Sequence, residues 1–159
     1  MKEKRDAAAV RIFPPAVPLL TILAGVLLNR RWPIPLPAAV PDWLTRSLGW
    51  FVMIAAILGL GAWAIVTMRR TGQSENPWLP STSVVTHGPF RRTRNPMYLQ
   101  MILVAFGAAM LFRNVWILLL TPVGAWLLLR LAILPEEAYL EKKFGEEYLA
   151  YKRRVPRWL

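Results

Sequence analysis

The chain has 159 residues, of which 55% are hydrophobic and 18% are charged, and its formal net charge is +11. A soluble domain usually has about 25% charged residues, so this balance is typical of a membrane protein. The lack of cysteine excludes a disulfide framework and Cys-based metal sites, and the single histidine, His87, is too few for a histidine-based zinc site. The basic residues stand between long apolar runs, which favours an anionic lipid surface over nucleic acid as a partner.

Four uncharged stretches can be compared with the roughly 17 to 25 apolar residues of a membrane-spanning helix. They are residues 12–29, 47–68, 96–112 and 114–129. The first has prolines crowded at its start, which leaves its boundaries open, and no small-x-small cleavage site follows it to indicate a signal peptide. Only Arg113 and its neighbours separate the last two, which predicts a tight helical hairpin. We therefore predict an all-α, polytopic membrane protein with about four transmembrane helices.

Lysine and arginine are distributed unevenly along the chain. Fifteen of the 20 lie before the first run, in the loop at residues 68–95 or after residue 134. Only four lie in the other two loops. By the positive-inside rule, this asymmetry predicts that both termini and the loop at 68–95 are cytoplasmic.

The composition changes after Pro135, where charged residues become frequent. Apolar and aromatic residues recur there at spacings of three and four: Leu140, Phe144, Tyr148, Tyr151 and Val155. This pattern predicts a C-terminal amphipathic cytoplasmic helix. Pro135 is expected to end the fourth membrane helix and to occupy the first turn of the amphipathic one.

Polar residues are concentrated in the segment THGPFRRTRNPMY, residues 86–98, and at Glu136 and Glu137. The predicted topology brings both places to the cytoplasmic face of the membrane. Asn95 followed by Pro96 is typical of a helix start, because Asn caps the first turn and Pro lacks only an N–H that is unbonded there. The free amides of a helix start bind anions, and guanidinium groups nearby strengthen that binding. The guanidinium groups in question belong to Arg91, Arg92 and Arg94.

Each of these residues also has a purely structural interpretation. Three arginines before a membrane helix are what topology requires, and lipid phosphates satisfy them. His87 can serve as a local hydrogen-bonding residue, and carboxylates in a first helical turn usually complement the helix dipole. Arg130 either reaches to the interface or acts together with Glu137, seven residues away and on the same face if the helix continues through Pro135. Spacing alone leaves these alternatives open.

The order of several short motifs carries more information than any one of them. HGPF, RNPMY, a short apolar hairpin, EE, FGEEY and YKRRVP follow one another between residues 71 and 159. In this order they resemble the membrane methyltransferases of the isoprenylcysteine carboxyl methyltransferase and phospholipid methyltransferase superfamily. Asn95 stands where eukaryotic members usually have His, and Phe90 where they usually have Tyr, as in many prokaryotic members. The resemblance divides the chain into N-terminal membrane helices, residues 1–70, and a catalytic core, residues 71–159.

The resemblance implies that S-adenosylmethionine binds at the cytoplasmic ends of the third and fourth helices, with a lipid-side opening for a lipophilic acceptor. It also implies the residues that line the cofactor pocket: His87, Gly88, Arg94, Asn95, Pro96, Tyr98, Glu136 and Glu137. Arg94, Glu137 and the intramembrane Arg130 are the candidate catalytic residues, and no metal is expected. A carboxylate acceptor attacks the methyl group as it stands, whereas an amine first loses a proton to a base such as Glu137. The acceptor class stays open at this point.

Two other functions are compatible with parts of the pattern. An NADPH-dependent sterol-type reductase ends in a similar RNPxY and YG…Y…VP pattern, but 159 residues hardly accommodate its additional cofactor-binding segments. A non-catalytic membrane scaffold, held to anionic lipid by its basic loops, is the second. The oligomeric state is not predicted, although four glycines allow close helix packing. They are Gly59, Gly61, Gly107 and Gly124.

Overall fold

The structure, a computed structural model, describes residues 6–36 and 40–159. Within these ranges the chain forms helices and no strands, which confirms the predicted all-α class. Three of the basic residues that contribute to the predicted topology, Lys2, Lys4 and Arg5, lie outside the described residues.

Five helices build the described part of the molecule. They are α1 (Ala16–Arg31), α2 (Asp42–Arg70), α3 (Pro96–Leu111), α4 (Val115–Phe144) and α5 (Glu146–Arg154). A single 3-10 turn, Gly88–Arg91, precedes α3. Two of the helices contain a widened π-helical segment, Ile57–Ala62 in α2 and Leu129–Ile133 in α4.

Helices α2 and α4, with 29 and 30 residues, are long and apolar enough to cross a membrane. Only 22% and 33% of their most apolar windows are buried inside the protein. Large apolar side chains therefore face outward, as expected for contact with lipid. Helices α1 and α3 have 16 residues each, or about 24 Å at 1.5 Å per residue, which is less than the roughly 30 Å of a hydrocarbon core. By length, two of the four predicted spans are supported, and the four-span count stays a prediction.

Glycines set the distance between the packed helices. A Cβ atom on Gly49 of α2 would lie 2.7 Å from the carbonyl oxygen of Gly107 in α3, so these backbones are in direct contact. A Cβ atom on Gly25 would lie 2.7 Å from the backbone nitrogen of Ile117, which fixes α1 against α4 in the same way. Of the four glycines singled out in the sequence, Gly61, Gly107 and Gly124 do lie at close contacts, but Gly59 has nothing within 4 Å of its Cβ position.

The predicted hairpin between α3 and α4 is confirmed. Its turn places Arg113 at a φ of 50°, and the side chain of Asn114 caps α4 by accepting a hydrogen bond of 3.1 Å from the Ile117 amide. The Arg113 guanidinium reaches across to the start of α2, where it pairs with Asp42 at 3.2 Å and donates to Thr45 at 3.1 Å. One arginine thus connects the turn between α3 and α4 to the start of α2 at this end of the bundle.

Pro135 lies in the first turn of the regular segment Leu134–Phe144, as predicted, but the prediction that it ends the fourth membrane helix is wrong. Helix α4 continues from Val115 to Phe144, and its π-helical segment Leu129–Ile133 comes directly before the proline. A π-helical turn is wider than an α-helical one, which relieves the clash that a proline ring causes in a regular helix. Pro135 also leaves the Leu131 carbonyl without its α-helical donor, and that carbonyl instead accepts a hydrogen bond of 3.0 Å from the Arg11 amide.

The single C-terminal amphipathic helix is not observed as predicted. Gly145, at a φ of 52°, separates the end of α4 from the nine-residue α5. The five apolar positions nevertheless belong to one cluster, because the turn at Gly145 folds both segments onto the same side. In this cluster Tyr148, Tyr151 and Val155 are buried, and Leu140 and Phe144 pack against them.

Candidate active site

The C-terminal tail docks against the segment that precedes α3. The Arg94 amide donates to the Pro156 carbonyl at 3.0 Å, and the Thr93 hydroxyl donates to the Arg157 carbonyl at 2.9 Å. The buried Tyr151 hydroxyl donates to the Phe90 carbonyl at 2.8 Å. These bonds bring both ends of the motif-rich region together beside α4.

A buried carboxylate, Glu137, lies at the centre of this junction. Arg157 binds it through two hydrogen bonds, 3.0 Å from Nε to Oε1 and 2.8 Å from Nη2 to Oε2. On the other side, Nη1 of Arg94 lies 3.4 Å from Oε1. The side chains of Glu137 and Arg94 are only 6% and 8% exposed. One buried carboxylate therefore faces two guanidinium groups, which leaves an excess of positive charge.

Arg94 keeps unused hydrogen-bonding capacity. Its Nε and Nη1 atoms are buried and have no hydrogen-bond partner in the described part of the chain. Buried polar groups are normally satisfied, and a guanidinium group is suited to a second carboxylate or a phosphate. The buried Arg94 guanidinium, whose Nη1 atom is the one near Glu137, is therefore a candidate donor to a second anionic group.

Glu136, next to Glu137 in α4, faces a different environment. Successive residues of a helix point about 100° apart, so the two carboxylates diverge. The Tyr98 hydroxyl donates to Oε2 of Glu136 at 2.7 Å. Glu136 thus has a neutral partner, whereas Glu137 has two charged ones.

A polar cavity of about 60 Å³ lies over this network. It is enclosed by the start of α3, the last turns of α4, helix α5 and the loop at 71–87. Its polar lining residues are Gln73, Ser81, Ser83, Arg94, Asn95, Glu136, Glu137, Tyr148 and Tyr151.

Two further cavities lie next to one another beyond the polar one and share wall residues. A small cavity of about 30 Å³ shares Met68, Ser81 and Glu136 with it. That small cavity in turn shares Glu75 and Tyr98 with an apolar cavity of about 600 Å³ between α1, α2 and α3. Glu136 and Tyr98 therefore lie between a polar compartment and a much larger apolar one.

Tyr148 and Tyr151 lie in the interior of the protein and are not anchors at a membrane interface. They are 2% and 3% exposed and line the polar cavity. Burial raises the pKa of both phenols, and the carboxylate of Glu137 raises that of Tyr148 further. Both side chains are consequently neutral and able to donate hydrogen bonds at physiological pH.

The structure brings together most of the predicted cofactor residues. Arg94, Asn95, Glu136 and Glu137 line one cavity, and Tyr98 bonds to Glu136 at its border. Pro96 is buried at the first position of α3, as predicted.

Asn95 precedes α3 as predicted, but its side chain does not cap the helix. The Asn95 Nδ2 atom instead donates to the Arg157 carbonyl at 3.4 Å. The capping prediction is therefore wrong, and the Asn95 side chain contacts the C-terminal tail instead.

His87, Gly88 and Arg130 are not among the residues that line the polar cavity. His87 is exposed, and Gly88, at a φ of 61°, begins the 3-10 turn against Thr67. Arg130 is exposed within the π-helical segment of α4, which changes the register that would align it with Glu137. Their predicted roles stay predictions.

Sequence reasoning missed Arg157 and Gln73. Arg157 lies directly after the YKRRVP motif, so its place beside that motif was the available signal. Gln73 is 5% exposed and shapes the loop over the cavity through hydrogen bonds of 2.8 to 2.9 Å to Thr82 and Ser83. A lone glutamine in a polar loop gives no such signal.

The sequence model of the phospholipid methyltransferase family matches residues 45–147, which include α2, α3, α4 and both glutamates. The chain belongs to this family. Membership in this family accounts for the occurrence of the HGPF, RNPMY and EE motifs in one chain. The family match begins after α1 and ends before Arg157.

Two family relatives show how far the similarity extends. The protein-S-isoprenylcysteine O-methyltransferase of Schizosaccharomyces pombe is 36% identical over 73 residues, which cover 46% of this chain and 31% of the yeast protein. An uncharacterised protein of Haemophilus influenzae is 39% identical over 71 residues, which cover 40% of this chain and all of that protein. No solved structure was found to match the chain.

Proposed function

We propose that this protein is an S-adenosylmethionine-dependent membrane methyltransferase that acts on a lipophilic acceptor. The observation that carries the proposal is the buried Arg94 guanidinium with unpartnered N–H groups, which lines a polar cavity that a small cavity separates from a large apolar one. A polar ligand on one side and a lipid on the other fit this arrangement, and family membership indicates methyl transfer.

The residues present fit the chemistry of the cofactor. Arg94 and the start of α3 suit its carboxylate, while the neutral phenols of Tyr148 and Tyr151 suit its ribose hydroxyls. When bound, the cofactor supplies a sulfonium methyl group that is already an activated electrophile. The protein then has to orient an acceptor and exclude water.

The cavity must widen to admit this ligand. Its volume of about 60 Å³ is well below the about 300 Å³ at which ligand pockets usually begin. The loop at 71–87, which contributes Ser81, Ser83, Val84 and Val85 to the lining, is the least regular wall. We infer that this loop moves outward when the cofactor binds.

The apolar cavity is the acceptor site in this proposal. Phe13 and Leu19 in its wall are 59% and 66% exposed, so the cavity reaches the outer apolar surface from which a lipid enters. No lysine, arginine or histidine of the described residues lines it or the small cavity beyond it. The charged groups there are Glu75, whose pKa a hydrogen bond from Arg69 lowers, and Glu136.

This charge distribution favours an amine acceptor over a carboxylate. Because Glu75 is already paired with Arg69, an acid would face the Glu136 carboxylate with no cation in the lining, whereas an ammonium group is attracted to that carboxylate. We propose Glu136 as the base in place of Glu137, because the two arginines that bind Glu137 stabilise its charged form. Glu136 would take a proton from the ammonium group and so free the nitrogen lone pair, and the cofactor would supply the methyl group as its carbon–sulfur bond breaks to leave a neutral thioether.

The topology belongs to the same proposal. In this proposal both termini and the site lie on the cytoplasmic side, and the chain spans the membrane four times. The 16-residue helices α1 and α3 then tilt little or thin the bilayer locally. Exposed Arg91 and Arg92 then face anionic headgroups, which are the proposed lipid partners.

Calorimetric titration with S-adenosylhomocysteine tests the cofactor proposal. Wild-type protein in detergent is expected to bind it, and Arg94→Ala is expected to weaken binding roughly tenfold or more, the loss of a charge-assisted hydrogen bond. Arg92→Ala, an exposed arginine two residues away, is the matched control and should bind as the wild type does. No binding by folded protein would favour the scaffold function, and binding of NADPH alone would favour the reductase.

A further inference from the structure

The segment before α1 folds back onto the bundle. Residues 6–15, here called the strap, have no helical structure over most of their length. Ala8 and Val10 are nevertheless only 5% and 8% exposed, and they belong to the core cluster that contains Tyr98 and Leu128. The strap is therefore an internal wall of the described structure.

Several polar contacts hold the strap in place. The Arg11 amide donates to the Leu131 carbonyl, the acceptor that Pro135 leaves free. The Trp78 indole donates to the Val10 carbonyl at 3.1 Å, which ties the strap to the loop at 71–87. At its far end, Asp6 pairs with Lys143 at 2.5 Å, at the cytoplasmic end of α4 in the proposed topology.

The strap contributes to both compartments on the acceptor side. Ala8 lines the small cavity together with Tyr98 and Glu136. Phe13 lines the apolar cavity and stacks on Trp78, with ring centroids 6.2 Å apart and an interplanar angle of 14°. The family match begins only at residue 45, so the strap lies outside the part that is shared.

We propose that the strap determines which acceptors this protein methylates, with Ala8 as the residue that limits the size of the reacting group. The small cavity of about 30 Å³ has room for about one or two water-sized groups, which corresponds to an amino or methylamino group. The side chain at position 8 sets that room, and the Phe13–Trp78 pair holds the adjoining part of the apolar chain. This inference rests on the proposed methyltransferase function.

The position of Ala8 allows a matched comparison. Ala8 points into the core, whereas its neighbour Ala9 is exposed. Ala8→Leu therefore fills the small cavity, while Ala9→Leu adds the same side chain to the same strap without entering it. Helix propensity and hydrophobicity change equally in the two variants.

The test uses the full chain in detergent with oleylamine as the acceptor probe. Ala8→Leu is expected to bind S-adenosylhomocysteine as tightly as the wild type but to lower kcat for oleylamine roughly tenfold or more, because small misplacements of a nucleophile cost about 10²-fold. Ala9→Leu is expected to match the wild type in both measurements. Wild-type turnover by folded Ala8→Leu would overturn the inference.

A second measurement does not depend on turnover. A fatty amine that carries a diazirine in its alkyl chain, a few carbons from the amino group, is cross-linked to the wild type by light, and the attachment site is located by mass spectrometry. Attachment to the peptide that contains Phe13 or Trp78 is expected, and Phe13→Ala should reduce it. Attachment confined to the outer faces of α2 and α4 would contradict the inference.

The two results separate the inference from the function on which it rests. If the wild type does not bind S-adenosylhomocysteine, the proposed function is refuted, whatever the cross-linking shows. If Ala8→Leu does not fold, Ala8→Gly enlarges the same cavity and should lower KM for N-methyloleylamine relative to oleylamine. An unchanged ratio of the two KM values would equally overturn the inference.

Discussion

Glu136 and Glu137 are adjacent in sequence, yet their partners give them different roles. Glu137 holds two arginines in a buried network, whereas Glu136 faces Tyr98 and the acceptor side. The sequence predicted that both belong to the site but assigned the base to Glu137. The sequence does not distinguish the roles of the two glutamates, because the difference arises from Arg157, twenty residues further along the chain.

Replacing each glutamate by glutamine should separate these roles. Glu136→Gln is expected to bind S-adenosylhomocysteine and keep its stability, but to lose most amine methylation because the proton has no acceptor. Glu137→Gln removes the charge between two buried guanidinium groups and is expected to destabilise the protein by about 3 to 5 kcal/mol. Thermal unfolding in detergent and a methyl-transfer assay on each variant make the comparison. Equal loss of stability in both variants would contradict the distinction.

At the scale of elements, sequence periodicity located the helices well but not their ends. The runs at 47–68 and 96–112 correspond to α2 and α3, and Arg113 marks the hairpin. The continuation of α4 through Pro135 was missed, because the proline is accommodated by a π-helical segment that no local pattern announces. The break at Gly145 was missed for a related reason, since the apolar spacing of three and four persists across it.

Helix packing in α2 can be tested with two glycines of the same helix. Gly49→Ala places a Cβ atom 2.6 Å from the Leu111 backbone nitrogen, so α2 and α3 have to separate, at a cost of about 1 to 3 kcal/mol. Gly59→Ala meets nothing within 4 Å and is expected to change the unfolding free energy by less than about 0.5 kcal/mol. Thermal unfolding of the two variants in one detergent measures the difference. A similar shift in both would show that this crossing does not limit stability.

At the scale of the whole molecule, the sequence predicted that its polar motifs meet at one face. Polar residues gather at one end of the bundle, where the 3-10 turn, α5 and the end of α4 enclose the polar cavity. The apolar cavity and the strap could not be predicted, because they depend on contacts between segments more than 50 residues apart, such as Val10 with Trp78. No pattern within either segment indicates the other.

The proposed topology has a direct test, because the chain contains no cysteine to interfere with labelling. Pro33→Cys and Glu146→Cys introduce single thiols at exposed positions at the two ends of the bundle. In intact cells, a membrane-impermeant maleimide is expected to label Pro33→Cys, and to label Glu146→Cys only after the membrane is opened. The reverse pattern would place the site on the outer side.

Helix α4 has one more consequence for the molecule as a whole. From Val115 to Glu136 it rises about 32 Å at 1.5 Å per residue, close to the about 30 Å of a bilayer's hydrocarbon core. A single rigid element thus carries the turn at one membrane surface and the proposed base at the other. The length of this helix fixes the distance between the two membrane surfaces at which these groups can lie. The depth at which a lipid headgroup meets Glu136 is therefore set by the thickness of the surrounding bilayer as much as by the protein itself.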